Sequence, residues 1–391
     1  MKKWIALLLV AAMTCSLVAC GSSSSSSTET EEETAVEEEA DTAEEAAEET
    51  AETTSGGGYV IGFSNYNNEI SWKLQFETEF TYMADTLKDE GVISDYYVYE
   101  ANGDQAKQIS DINDLITLGV DAIVVTAITS DGLNDVLQEA MDEGIIVVNC
   151  DNLTSADVSA KIVVSDYNHG YVSGTWLGEQ LIANGTEEGN VIVLRGQAGT
   201  STDANRYQGG VDALQELCPN VNIIAEEACD WDYATAKTAL ETLLATYSQI
   251  DGVLSQGGAM TQAAIDAFNE AGRELVPMTG EGGNGFMRVW LENSEDGFES
   301  MAFYNPAFSS RIALECAIAL LDGGTIDDCA SLISENYDVE PTVEGTELQL
   351  SFDSISLEDA EELYDSTLND DFWPGTYLPH DVLEELFPAT E

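Results

Sequence analysis

Residues 121–151, DAIVVTAITSDGLNDVLQEAMDEGIIVVNCD, and residues 251–281, DGVLSQGGAMTQAAIDAFNEAGRELVPMTGE, decide the fold. Each stretch opens on an aspartate, Asp121 or Asp251, followed at once by a short apolar strand. An amphipathic helix then leads to a second apolar strand, and each stretch ends on a carboxylate, Asp151 or Glu281, 30 residues after the aspartate. Short apolar strands alternating with amphipathic helices specify βα units on parallel sheets. The same unit occurring twice specifies two equivalent halves. In a doubly wound sheet, ligands sit outside the carboxyl ends of the strands, so Asp151 and Glu281 are expected to face a shared crevice.

The alternation extends outward from both stretches. YVIGFS at 59–64 is a strand before a helix near 71–89, and residues 96–100 and 106–118 repeat the pattern. A new series starts with the strand 162–165 and the helix near 170–183. It continues through 190–194, 206–217, 221–226, 234–247 and 252–255. About ten strand–helix units exceed one comfortable sheet, which predicts an α/β chain of two doubly wound αβα lobes with parallel sheets.

Charge excludes several functions. The 391 residues carry 12 Lys+Arg against 74 Asp+Glu, a formal net charge of −62. Nucleic acid binding needs cations to neutralise phosphates, and adhesion to anionic lipid needs a basic patch. Residues 1–20, MKKWIALLLVAAMTCSLVAC, have two lysines, a short apolar run and a small-residue ending, the layout of a secretory signal peptide. Leu17-Val18-Ala19-Cys20 before Gly21 resembles the lipobox of bacterial lipoproteins, which implies cleavage before Cys20 and a diacylglycerol on its sulfur. Residues 21–57 hold a six-serine run, 13 acids and no aromatic residue. Such a stretch cannot bury enough surface to offset ordering entropy, and it reads as a disordered tether. From Gly58 onward the body still carries a charge of −51. No further segment is long and apolar enough to span a membrane, so the expected location is the extracytoplasmic face of the cell membrane.

Five cysteines remain after Cys20, and an odd number leaves at least one thiol free. Cys150 closes an apolar strand as a small hydrophobe. Cys218 and Cys229 fall at opposite ends of a layer, while Cys316 and Cys329 are near enough in sequence to pair. With no CxxC and only His169 and His380, no metal site is expected.

Two facing carboxylates have three readings: a glycosidase acid/base pair, charge-assisted acceptors for ligand hydroxyls, or caps on the following helices. Other strand-end residues favour the second. SNYNNEISWK after the first strand supplies Ser64, Asn65, Asn67, Asn68 and Trp72, and CDWD supplies Trp231. Two tryptophans can sandwich a sugar ring, whose C–H face is apolar. Arg206, in RGQAGTSTDANRYQGG, carries a guanidinium able to fork onto two oxygens.

Over residues 58–355 these motifs, in this order, resemble the periplasmic sugar-binding proteins of ABC importers, of the ribose/galactose-binding type (class I solute-binding proteins). The resemblance implies a three-strand hinge between the lobes, a sugar in the cleft and no chemistry, with the closed form docking on a permease. It implies an N-terminal lobe of 58–165 and 306–337, a C-terminal lobe of 166–305, and a hinge return with C-terminal extension over 338–391. As ligand contacts it implies Asn65 and Trp72, Asp151 with Asn152, and Asp166 at the first hinge crossing. From the second half come Arg206, Trp231, Gln256, Glu281 with nearby Asn284, and Asn305 at the second crossing. Three departures stand out: Asn152 replaces an expected arginine, Gly257 an expected asparagine, and Glu281 a usual aspartate. The extension after Ser356, including DDFWPGTYLPHDVLEELF, has no counterpart in shorter members, and its aromatics are expected to pack on a lobe. Arg206 is the one sure cation among these residues, facing Asp151, Asp166 and Glu281, with Lys73 beside the Trp72 turn, so the expected ligand is a neutral monosaccharide or polyol. The expected partners are ABC permease subunits and, through Cys20, the membrane, with the protein a monomer and no cofactor. A module presenting ligand to a membrane kinase uses the same cleft, and a cell-envelope glycosidase would use Asp151 and Glu281. A LacI-type repressor is excluded by export and by the lack of a basic helix-turn-helix.

Overall fold

The computed structural model describes residues 57–389. The expected signal peptide, Cys20 and the expected tether up to residue 56 lie outside the described residues. The first lobe is built from β1 (Tyr59–Asn65), α1 (Ser71–Asp89), β2 (Ile93–Glu100), α2 (Gln105–Leu118), β3 (Ala122–Val125), α3 (Asn134–Asp142), β4 (Ile146–Cys150) and β5 (Ala160–Val164). The second follows with α4 (Asp166–Ala183), β6 (Asn190–Arg195), α5 (Ser201–Leu217), β7 (Asn222–Ala228), α6 (Tyr233–Thr246), β8 (Gly252–Ser255), α7 (Gly258–Glu270), β9 (Met278–Glu281), α8 (Asn284–Ser294) and β10 (Ser300–Phe303). The chain then returns through α9 (Ser309–Leu321), α10 (Ile326–Tyr337), β11 (Thr342–Glu344), β12 (Glu347–Leu350), β13 (Ser354–Ile355), α11 (Leu357–Leu363) and α12 (His380–Leu386).

The sheets have matching strand orders, β2-β1-β3-β4-β5 and β7-β6-β8-β9-β10, with parallel pairing throughout. β12 joins β5 in parallel and β11 adds an antiparallel edge, while β13 closes the second sheet antiparallel to β10. Helices cover both faces of each sheet. In the first lobe one layer holds Phe76 and Phe80 of α1 with Ile312 of α9, and the other holds Ile112 of α2 with Leu137 of α3. Phe80 stacks on Phe63 of β1 at 4.4 Å between ring centroids. The two repeat aspartates do the same job. Asp121 accepts from the Val60 amide and Asp251 from the Asn190 amide, each at 2.7 Å. Each thereby ties the start of the third strand of its lobe to the start of the first.

Four segments cross between the lobes: Ser165, residues 304–308, residues 351–353 and, in the C-terminal segment, residues 371–372. Residues 342–350 thus complete the first sheet, and residues 354–363 pack on the second lobe. Beyond them, Leu368, Phe372, Leu378, Leu383 and Phe387 form a small core of their own, with Leu74 of α1 packed against it.

One packing contact positions the second lobe's half of the cleft. Gly170, Gly174 and Gly178 lie four apart on α4; the first two pack on the α5 backbone at Arg206 and Gly210, and Gly178 on the Leu214 and Leu217 side chains. A Cβ at Gly174 would stand 2.1 Å from the Gly210 carbonyl oxygen, and one at Gly170 would stand 2.0 Å from that of Arg206. The two backbones therefore touch, which brings the first residue of α4, Asp166, against Arg206 on α5.

All five cysteines of the described residues are free and buried, and the Cys329 Sγ lies 3.7 Å from the Cys316 carbonyl oxygen. Among the described residues no helix is long and apolar enough to cross a membrane, and no His/Cys/Asp/Glu cluster is arranged to hold a metal ion.

Gly174→Ala forces α4 and α5 apart and is expected to lower the unfolding free energy by about 1–3 kcal/mol, the usual range for overpacking. The readout is the urea midpoint at constant slope, and a variant as stable as wild type contradicts the backbone contact.

Candidate functional site

The carboxyl ends of the strands of both lobes line a cavity of about 180 Å³. On the first lobe its wall begins just after β1 and β4. Asp151 takes a left-handed backbone conformation (φ 58°), which an aspartate tolerates better than most residues. Its Oδ2 accepts a 2.6 Å bond from the Nζ of Lys73 on α1. Lys73 is 2% exposed, also donates to the Thr126 hydroxyl at 3.0 Å, and lies 4.6 Å from the Tyr66 ring centroid. Burial pushes the Tyr66 phenol up, so it stays protonated, and its hydroxyl meets the Asn152 side chain.

The second lobe is organised by Arg206. Its Nε donates to Asp166 at 2.9 Å, and its Nη1 donates to Glu281 at 2.8 Å and to the Gln256 carbonyl at 3.0 Å. Burial works against the cation, but Glu281 and Asp166 more than offset this and leave its pKa raised. Burial pushes the Asp166 carboxyl up to about 6 and also raises Glu281, while Arg206 pulls both back. Glu281 Oε1 also accepts from the Asn305 amide at 2.8 Å, and the Asn305 carbonyl accepts from the Trp72 indole at 2.9 Å. The polar chain therefore runs from the first lobe through the second crossing to the second lobe. Asp230 and Trp231 are successive left-handed residues (φ 52° and 62°). For a tryptophan this is a costly backbone state, of order 1–3 kcal/mol, and such strain clusters at functional sites. It places the indole over Gly196 and Gly257, where a Cβ would stand 1.8 Å and 3.1 Å from the ring. Gly257 in place of the expected asparagine is thereby explained: the room goes to Trp231.

A family model for the periplasmic binding protein domain matches residues 61–325. The chain belongs to that family. Among its curated relatives, the xylitol-binding protein of Mycolicibacterium smegmatis is 30% identical over 183 residues, 46% of this chain and 51% of that protein. The ribose import binding protein of Bacillus subtilis is 24% identical over 235 residues, 60% of this chain and 74% of that one. The chain thus spans about half the length of the first relative and three quarters of the second. A solved ABC transporter solute binding protein from Thermobispora bispora superimposes with a TM-score of 0.68 at 23% identity, covering 84% of this chain and 94% of that one. Another, from Bacillus halodurans with bound myo-inositol, gives 0.65 at 18% identity, covering 79% and 98%. At such identities the structural likeness speaks to the fold, the two-lobed architecture of periplasmic binding proteins.

In this periplasmic binding protein the cavity wall brings together Trp72, Asp151, Asn152, Arg206, Trp231, Glu281 and Asn305. The other four residues singled out in the sequence stand elsewhere. The Asn65 side chain turns away to donate to Glu77 at 2.9 Å. Asp166 is buried behind Arg206, bonded to it and to the Thr202 hydroxyl. Gln256 spends its amide on the Gly196 amide and the Asp203 carbonyl. Asn284 is drawn off the cleft by the C-terminal segment: its Nδ2 donates to the carbonyls of Asp365, Leu368 and Asn369. Sequence reasoning missed Tyr66, Tyr233 and Trp373 as wall residues, while Lys73, noted only as a charge beside the Trp72 turn, stands on the wall with them. Tyr66 sits inside the quoted SNYNNEISWK, two residues after Ser64 at the same strand-to-helix turn. The Trp373 side chain packs within the first-lobe core, as expected of the extension's aromatics, and also stands on the cavity wall.

Arg206 also carries a stability role, because removing it strands two buried carboxylates. Arg206→Met is expected to cost about 3–5 kcal/mol at pH 7. The folded-state pKa of Asp166 lies above its unfolded value near 3.9, so protonation favours the fold as the pH drops. The deficit of the variant should therefore shrink between pH 7 and 5. Urea unfolding at both pH values checks this, and a deficit that grows on acidification contradicts it.

Proposed function

We propose that this chain is the extracytoplasmic solute-binding lipoprotein of an ABC importer, anchored through lipid on Cys20. It captures a neutral monosaccharide or polyol between its lobes and delivers it to permease subunits in the membrane. The observation that carries the reading is a cavity walled by both lobes, in which Asp151 and Glu281 are each already held by a buried cation and three tryptophans line the space. At roughly 10–15 Å³ per water, about 180 Å³ holds on the order of a dozen waters, the bulk of one sugar or linear polyol. The site supplies charge-assisted acceptors for hydroxyls and flat apolar faces for a C–H surface.

The charge balance selects against anions. Lys73 and Arg206 face Asp151, Asp166 and Glu281, so two cations stand against three carboxylates, and Glu69, Asp232 and Asp371 add more negative charge around the cavity. Hydrolysis is disfavoured by the same geometry. Lys73 holds Asp151, and Arg206 with Asn305 holds Glu281, which leaves neither free as a proton donor. The mechanism is conformational: a ligand that touches both lobes binds the closed form better and shifts the population by that difference. The relatives named for xylitol and ribose support the polyol or sugar class.

Isothermal calorimetry with xylitol, D-ribose, D-fructose and myo-inositol tests the reading. At least one is expected to bind with a micromolar or lower Kd, with D-ribose 5-phosphate at least tenfold weaker than D-ribose. Trp231→Ala should weaken the tightest binder at least tenfold, about 1.4 kcal/mol. Wild-type protein that binds none of the four contradicts the proposal.

A further inference from the structure

The family match ends at residue 325, yet Asp371 and Trp373, both beyond it, stand on the wall of the cavity between the lobes. We propose that the C-terminal segment is a third ligand-binding element, with the Asp371 carboxylate and the Trp373 indole as specificity-determining contacts for a polyhydroxylated ligand. This rests on the sugar- or polyol-binding reading above and adds to it a part of the pocket that neither lobe supplies.

The segment is held by both lobes at once. On the second lobe, Asp370 takes a two-pronged pair from Arg288 (2.9 and 2.7 Å) and a 2.8 Å bond from Gln262. The Asn284 and Gly285 amides at the start of α8 donate to the Phe372 and Asp370 carbonyls. On the first lobe, Gln75 of α1 is fully buried and forms a reciprocal amide pair with the Trp373 backbone, at 2.8 and 3.1 Å. Glu79, also fully buried, accepts from the Thr376 hydroxyl and the Tyr377 amide. Only two residues, Asp371 and Phe372, separate the Asp370 anchor from the Trp373 anchor. The chain therefore passes from lobe to lobe along the cavity, and Asp371 and Trp373 have fixed places on its wall.

Their chemistry is unlike that of structural filler. The Trp373 Nε1 already donates to the Ser71 hydroxyl at 2.9 Å, so the ring is locked before any ligand arrives. Gly283 lets it lie against the second lobe, since a Cβ there would stand 3.2 Å from the ring. Such pre-ordering removes part of the entropy cost of binding. Asp371 differs from its neighbours in the opposite sense. Asp151 is committed to Lys73, Glu281 to Arg206 and Asn305, and Asp232 to Thr235. The Asp371 carboxylate takes no hydrogen bond among the described residues, and only its backbone amide is engaged, by Asn369. The residue is exposed, so the carboxylate is open to solvent as well as to the cavity, and partial desolvation with Asp370 beside it pushes its pKa up. Ligand hydroxyls can replace the water that such an open acceptor carries.

The test titrates the full chain, as wild type, Asp371→Asn and Asp370→Asn, with xylitol, D-ribose, D-fructose and myo-inositol. Asp371→Asn should weaken the tightest-bound of these probes fivefold or more and change the ratio of its affinities for xylitol and D-ribose. The sugar-free unfolding midpoint should not move, because the carboxylate holds nothing in the fold. Asp370→Asn loosens the anchor without touching the cavity; it should lower the midpoint and leave the xylitol-to-ribose ratio as in wild type. Wild-type affinities for all four probes in Asp371→Asn overturn the proposal, and so does an equal change of ratio in Asp370→Asn, which would make the segment a tether only. Wild-type protein that binds none of the four overturns the sugar-binding reading itself, a result distinct from either.

Discussion

The buried fork of Arg206 is the interaction on which the rest of the site depends. A guanidinium at 3% side-chain exposure, between carboxylates at 5% and 7%, is expensive to take out of water. It is sustained because each partner is fixed independently: Asp166 by the first crossing, Glu281 by the end of β9, and Arg206 by the glycine-lined contact of α4 with α5. Glu281 then passes the constraint to Asn305 in the second crossing and through it to Trp72 on the first lobe. One cation thereby sets the position of groups on both sides of the hinge.

The first lobe has a smaller counterpart in Lys73 and Asp151. There the cation is enclosed by aromatic rings rather than by a second carboxylate, with the Phe76 and Tyr66 centroids 4.5 and 4.6 Å away. The result is two cation-held carboxylates, one per lobe, which present oxygen acceptors without presenting free charge. That suits ligands rich in hydroxyls and poor in charge, and it explains how a strongly acidic chain keeps a usable polar cavity.

Much of this was legible in the sequence because topology follows from period and spacing. The repeat placed Asp121 with Asp251 and Asp151 with Glu281, and in the structure the first pair ties strand starts in the same way while the second pair lines the cavity. What was not legible concerns where side chains turn. Asn284 stands just after a strand that ends at the cavity, and nothing local reveals that its amide is claimed by carbonyls 81 to 85 residues later. Asn65 ends the first strand but is captured by Glu77 one helix further on. Trp373 reaches the cavity through a contact with Ser71, 302 residues distant, for which no periodicity prepares the reader.

A crystal structure of the protein with the tightest-bound of xylitol, D-ribose, D-fructose and myo-inositol is the most direct measurement. The ligand is predicted to lie between the lobes against Trp231, with its hydroxyls bonded to Asp151 on one lobe and to Arg206 or Glu281 on the other. Density for the ligand outside the cavity, or within it but touching a single lobe, would contradict capture by closure of the two lobes.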